Sequence, residues 1–214
     1  MTGQLRLLGA VLVVLGVACA AAAQELAPIT LPAPQTDGGK PLMQALKLRA
    51  TGRAFAPDAL PPQILSNLLW AAWGINRPQE GKRTAPSTRN WQEIDVVVLN
   101  ASGAYLYDAK GHALTPLVAG DLRALAGTQD FVKDAPVTLV LVADTARMQG
   151  GPDTQALAHA DAAFISQNVS LFCASEGLAT GVRASVDRPA LARALKLRDS
   201  QLVVFAQSIG FPKK

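Results

Sequence analysis

Residues 68–99 read LLWAAWGINRPQEGKRTAPSTRNWQEIDVVVL, and three textures follow one another in them. The first belongs to a helix that opens at Pro61-Pro62, where proline fits the first turn, and stops at Gly74. Ile64, Leu65, Leu68, Leu69 and Ala72 recur at helical spacing and give it one apolar face. The last texture, Ile94 to Asn100 (IDVVVLN), is predicted as a strand. Between them, residues 75–93 are polar, rich in turn residues and without periodicity. A stretch of that length inside a compact domain is uncommon, and such loops often carry function.

Working outward, Ala104 to Asp108 is a second strand. Asp108-Ala-Lys-Gly111 turns the chain into a third around His112 to Thr115. Asp121 begins a short helix. Pro136 precedes VTLVLVA, a continuous apolar run expected to be a buried central strand. Thr154 to Gly177 is the longest helix candidate, with Ala158, Ala162, Ile165, Val169, Phe172 and Cys173 at core spacing. Its many alanines suit close packing, in the core or across a subunit interface. Asp187-Arg-Pro189 caps a helix through Leu195, and Leu202 to Gln207 is the last strand. Upstream, Leu42 to Arg49 is a short helix, and residues 24–41, proline-rich from Ala27 on, form an extended arm. Strands and helices mix without strict βαβ alternation, so the fold class is α+β, with one domain over residues 42–214.

The chain has 214 residues, half of them hydrophobic and 17% charged, which excludes a disordered polyelectrolyte and a coiled coil. Its net charge of +4 is spread along the chain without a basic stripe, so nucleic acid is not an expected partner. Two cysteines and two histidines, in spacings that fit no zinc motif, leave no expected metal site. A Ser-His-Asp hydrolase would need His112 or His159 brought to a serine over long range. His112, in a predicted hairpin, is expected to be exposed, and His159 to be structural or interfacial. Residues 7–23, LLGAVLVVLGVACAAAA, follow Arg6 and end in small residues. This is a secretory signal pattern over residues 1–23, with cleavage after Ala23 and a secreted or periplasmic product. An uncleaved signal is the expected route, if any, to a membrane.

Three clusters could carry chemistry. Arg49-Ala-Thr51-Gly-Arg53-Ala-Phe55 sets two guanidiniums four residues apart around a hydroxyl, a set that can converge on one phosphate. The plainer reading is a solvated helix end. Ala85-Pro86-Ser87-Thr88-Arg89-Asn90-Trp91-Gln92 offers amides and hydroxyls that can read the polar edge of a flat heterocycle, or is an ordinary capped loop. Gly177-Leu-Ala-Thr-Gly-Val-Arg183-Ala-Ser185-Val-Asp187 can bring backbone close to a ligand, or is a helix cap followed by a strand. No GxGxxG or phosphate-binding P-loop occurs.

Taken in order, these clusters resemble the nitroreductase superfamily. Arg49-x-Thr51-x-Arg53-x-Phe55 is similar to its amino-terminal R-x-S-x-R/K-x-F signature, with Thr in place of Ser. Ala85-Pro86-Ser87-x-x-Asn90-x-Gln92 is similar to its flavin-contacting loop. Gln167-Asn168-Val169-x-Leu171 and Glu176-Gly177-Leu178 resemble its long central helix, and Gln207-x-x-Gly210-Phe-Pro its terminal strand. The helix–loop–strand stretch also resembles the branch of azoline-forming peptide oxidases. The resemblance implies a mixed, mainly antiparallel sheet flanked by helices, with the long helix at the interface of a homodimer. It implies FMN held by Arg49, Thr51 and Arg53 at the phosphate and ribityl chain, by Pro86, Ser87 and Asn90 along the ring, and by Lys213 or Lys214 near the phosphate. It implies two-electron ping-pong hydride transfer through flavin N5, from NAD(P)H or another donor, to a nitro, quinone or related small-molecule acceptor. Flavin then carries the chemistry and no side-chain nucleophile is required. Trp91 is a candidate wall for the ring, and Trp70, Trp73 and Cys173 are expected in the core or a dimer seam. The alternative is a non-catalytic binder of flavin or another planar anion on the same fold.

Overall fold

The computed structural model describes residues 26–214. The expected secretion signal therefore lies outside the described residues. The chain runs through β1 (Ile29–Thr30), α1 (Leu42–Leu48), α2 (Pro62–Trp73), β2 (Ile75–Arg77), β3 (Lys82–Arg83), β4 (Ile94–Leu99), β5 (Gly103–Asp108) and β6 (Ala113–Ala119). It continues through β7 (Val137–Asp144), α3 (Thr154–Glu176), β8 (Ala179–Arg183), α4 (Arg188–Ala194) and β9 (Gln201–Gly210). Seven strands form one sheet in the order β1-β6-β5-β4-β7-β9-β8, and every pairing in it is antiparallel.

The sheet is buried on both faces at its centre. All eight residues of β7 are buried, which is why VTLVLVA reads as an unbroken apolar run rather than an alternating one. Leu139 and Leu141 face a core built with Leu68, Leu69, Ile165, Val169 and Cys173 of α2 and α3. Val140 and Val142 face a second core with Leu191, Leu195 and Ala206. Period-2 alternation thus feeds two cores from one strand. Among the described residues no helix is long and apolar enough to cross a membrane.

α3 runs for 23 residues and ends at Gly177, whose φ of 72° is left-handed and lets the Leu178 N–H bond back to the Cys173 carbonyl at 2.8 Å. Cys173 is fully buried and free, and burial pushes its thiol up to about 12, so it is inert packing. α4 starts at Asp187, whose Oδ1 accepts the Ala190 N–H at 3.0 Å.

Three readings of the sequence change. Residues 75–93 are not a bare loop: β2 and β3 pair as a small hairpin, and Thr88–Asn90 form a 3₁₀ turn. Arg83 fastens this segment, donating to the Trp73 carbonyl at 2.8 Å and to Gln92 Oε1 at 2.7 Å with its guanidinium over the Trp73 ring. The helix expected from Asp121 is a 3₁₀ turn, Arg123–Ala126. His112 is half-buried rather than exposed. Its ring nitrogens lie 2.7 Å from Ser66 Oγ and 3.0 Å from the Tyr107 hydroxyl, and burial lowers its pKa. The same knot pins the arm, since Ser66 Oγ donates to the Pro32 carbonyl at 2.6 Å.

Candidate functional site

Beyond α1 the chain straightens and lies along the open edge of β8. The Gly52 N–H donates to the Thr180 carbonyl at 2.8 Å. A Cβ on Gly52 would stand 2.9 Å from Ala179 Cβ, and one on Gly181 would stand 3.0 Å from the Gly52 carbonyl oxygen. Only glycine lets two backbones approach this closely. The end of the chain joins the same strip. Ala56 N–H bonds to the Phe211 carbonyl at 2.9 Å, and Lys213 N–H to the Ala54 carbonyl at 3.1 Å. Phe55, buried, anchors the strip and bridges to Pro212. Arg53 and Lys213, 160 positions apart in sequence, therefore sit on adjacent segments, both exposed.

Between this strip, α3 and the β8–β9 edge lies a cavity of about 360 Å³. Arg49, Thr51, Ser166, Gln167, Ser170, Thr180 and Arg183 line it, with Val182 and Phe205 as apolar wall, and no carboxylate is among the lining residues. Its hydroxyls are fixed from below by Gln207, which is 1% exposed. Ser166 Oγ donates to Gln207 Oε1 at 2.9 Å, while Gln207 Nε2 donates to Ser170 Oγ at 3.2 Å and to Thr180 Oγ1 at 3.0 Å. Arg183 is 8% exposed and has no acidic partner among the described residues. Its guanidinium donates to the Ala126 carbonyl at 2.8 Å and to Ser208 Oγ at 3.0 Å, and Nη2 is buried without a partner. Burial lowers its pKa to about 10, so it stays cationic at neutral pH. Unpaired cations, fixed hydroxyls and an apolar wall suit a phosphate attached to something flat and partly apolar. On this observation the residues present fit FMN.

The residues expected along the ring lie elsewhere. Pro86, Ser87 and Asn90 do not line the cavity; their loop is tied to the other flank of α3. Asp161 accepts the Thr88 N–H at 2.7 Å and the Thr88 hydroxyl at 3.2 Å. Gln92 braces the loop from within, with its N–H on Ser87 Oγ at 3.0 Å and its Nε2 on the Gly81 carbonyl at 3.0 Å and Asn90 Oδ1 at 3.1 Å. Arg89, Asn90 and Gln92 all have positive φ, of 49°, 57° and 49°. Three left-handed non-glycine residues in four positions store strain, which surrounding bonds must hold. Trp91 is half-buried with Arg89 5.6 Å over its ring. At 100° per residue, Asp161 and the Ser166/Ser170 pair face different sides of α3, and exposed Ala160, Phe164 and Gln167 run between them.

Within one chain, then, Arg49 and Thr51 meet in the cavity, Arg53 and Lys213 meet beside each other, and the loop residues form a separate surface. Arg183 and Asp161 escaped the sequence reading. Arg183 sits in a run quoted for its glycines, and nothing in that run signals a buried arginine without an acid.

A family model, described as the nitroreductase family, matches residues 46–211. The chain belongs to the nitroreductase family. A candidate nitroreductase from Ralstonia eutropha JMP134 is 42% identical, with 87% of this chain and 90% of that one aligned and a TM-score of 0.84. A candidate nitroreductase from Anabaena variabilis ATCC 29413 has a TM-score of 0.73 at 18% identity, over 87% of this chain and 42% of that one. The Escherichia coli microcin synthetase McbBCD complex with truncated pro-MccB17 gives 0.67 at 18% identity, over 75% and 67%. The last two speak for the nitroreductase fold alone. No curated protein matches the chain. Membership brings oxidoreductase-type chemistry as the coarse function.

Proposed function

We propose that this nitroreductase-family chain is an exported, FMN-dependent oxidoreductase that works as a homodimer. The observation that carries the reading is the acid-free cavity holding Arg49 and Thr51 over hydroxyls fixed by Gln207. Arg49 and Thr51 would hold the phosphate and ribityl chain, with Arg53 and Lys213 adding charge from the neighbouring strip. When bound, the flavin would supply two-electron hydride chemistry at N5, with a reduced nicotinamide or another donor as the electron source and a nitro, quinone or related group as the acceptor. Pro86, Ser87 and Asn90 would line the ring.

The separation of loop and cavity argues for two copies. Phe164, on the α3 face between them, is 49% accessible, and on α1 Leu42 and Met43 are 62% and 75% accessible. A second copy covering that surface would bring one chain's loop toward the other's cavity. Apolar exposure on this scale marks an interaction surface.

The test is the visible spectrum of the purified protein before and after anaerobic NAD(P)H. Flavin bands bleached by the nucleotide support the enzyme reading. Bands that persist under nicotinamide keep the flavin site and move the search to another electron donor, and a bound flavin that no donor reduces favours the non-catalytic binder. A colourless protein that takes up no added FMN overturns the cofactor assignment.

A further inference from the structure

Beneath the Ala85–Gln92 loop lies a carboxyl group that the FMN reading does not use. Glu93 is 0% exposed, and neither of its carboxyl oxygens has a hydrogen-bond donor. A bare carboxylate in that position would be very costly, so the group must be neutral or share a proton. Two charged residues face it. Arg147, from the turn after β7, is committed elsewhere: it donates to the backbone carbonyls of Gln92 at 3.0 Å and Glu93 at 2.8 Å, and pairs with Asp95 at 2.7 Å. Asp161, from α3, is 2% exposed and its carboxyl lies within hydrogen-bonding reach of Glu93. Asp161 is at the same time the acceptor for Thr88, through both the backbone N–H and the hydroxyl.

We propose that Glu93 and Asp161 hold one proton between them, with Glu93 as donor and Asp161 as acceptor, and that this proton positions the Ala85–Gln92 loop. The loop's role toward FMN rests on the function proposed above; the shared proton does not. Two buried carboxyls in contact cannot both ionise cheaply. Asp161 already accepts from the Thr88 N–H and hydroxyl, whereas neither Glu93 oxygen has a donor, so the proton is placed on Glu93. Burial first, and Asp161 second, raise Glu93 from its ordinary 4.5 to about 7. The loop above carries three left-handed residues and leans on the Thr88–Asp161 bonds to stay in place. Above the midpoint the proton leaves to solvent, two negative carboxylates face each other under the strained loop, and its anchorage loosens. The sign is that of a raised acid: the favourable contribution is complete below about 4.5, declines as pH rises toward about 7, and is gone above it.

The direct test is infrared. The C=O stretch of a protonated buried carboxyl should titrate near neutral pH in the purified protein and be missing in Glu93→Gln. In Asp161→Asn, which removes the facing negative charge, the band should remain and titrate about one pH unit lower. FMN titrated by fluorescence gives the second readout. Wild-type affinity should weaken about tenfold between pH 6 and 8.5. Glu93→Gln, which still donates to Asp161 and cannot ionise, should keep the pH 6 affinity at both. Absence of any such titrating band in the wild type overturns the shared proton, whether or not the variants fold, and so does a band that survives in a folded Glu93→Gln protein. A titrating band with pH-independent FMN affinity overturns the positioning role. No FMN uptake at either pH, with the band intact, overturns the flavin role of the loop and leaves the proton pair standing.

Discussion

The two flanks of α3 are built on opposite electrostatic plans. On the cavity flank, cations stand without acids, and Gln207 holds hydroxyls ready at fixed positions. On the loop flank, two carboxyls are buried together, the backbone is strained, and Thr88 and Gln92 make their bonds within the fold. The first arrangement is open to stabilisation by a ligand anion; the second spends its bonds on holding a shape. A cofactor with a charged tail and a flat ring asks for both, one for affinity and one for orientation. The helix between them, exposed and apolar on its outer face, is where the two plans would have to be joined by a second copy.

The largest effect expected from this contrast is on the cavity flank. Charge-assisted hydrogen bonds contribute about 1.5–3 kcal/mol each, so Arg49→Ala with Arg53→Ala should weaken FMN binding by about 10²–10⁴-fold. The loss is read by equilibrium titration, and little change in melting temperature should accompany it because both side chains are exposed. Stoichiometric flavin retained by the double variant would break the comparison outright.

The loop flank should answer to pH rather than to charge deletion. With Glu93 raised from 4.5 to about 7, linkage makes the folded state lose about 3 kcal/mol between those values, because the native chain holds a proton that the unfolded chain has released. Denaturant unfolding at pH 5 and 7.5 checks this, with Glu93→Gln as the reference in which that slope disappears. An equal slope in the variant would assign it to other groups.

How far the sequence could be read follows the same division. The sheet and its helices were legible because β7 is uniformly apolar, α2 and α3 carry core residues at helical spacing, and Pro61-Pro62 and Gly177 mark ends by local chemistry. Arg49 and Thr51 were legible as a pair because they stand two positions apart in one short segment. Gln207 was visible as part of a motif, but its work of orienting three hydroxyls depends on β9 lying beside β8 under α3, which no local pattern reports. Asp161 and Glu93 are 68 positions apart and each reads as an ordinary surface acid. Their burial comes from the packing of the loop on α3. The exposure of His112 was misread for the same reason, although its hairpin is present: Ser66 and Tyr107 come to it from α2 and β5.

A glycine tests whether the cavity's strip depends on close backbone contact. Gly52→Ala would drive a methyl to 2.9 Å from Ala179 Cβ and strain the Gly52–Thr180 bond that seats the strip on β8. Overpacking of this kind costs about 1–3 kcal/mol. FMN affinity should fall with stability, since Arg49 and Thr51 ride on the displaced segment. Unchanged affinity in a folded Gly52→Ala protein would mean that the strip's seat on β8 does not set the positions of those two side chains.

Lys213 gives the smallest effect and the finest test. Its backbone is held by the Ala54 carbonyl, so truncating the side chain leaves the terminal strip where it is. The ammonium is exposed, and an exposed point charge contributes about 0–1 kcal/mol to holding an anion. Lys213→Ala should therefore weaken FMN by less than about fivefold, and the difference from wild type should shrink as salt screens it. The same variant at high salt should bind as wild type does. A loss comparable to that of the arginine pair would mean that the terminal strip closes over the phosphate, and would move the centre of the anion site from the cavity to the chain end.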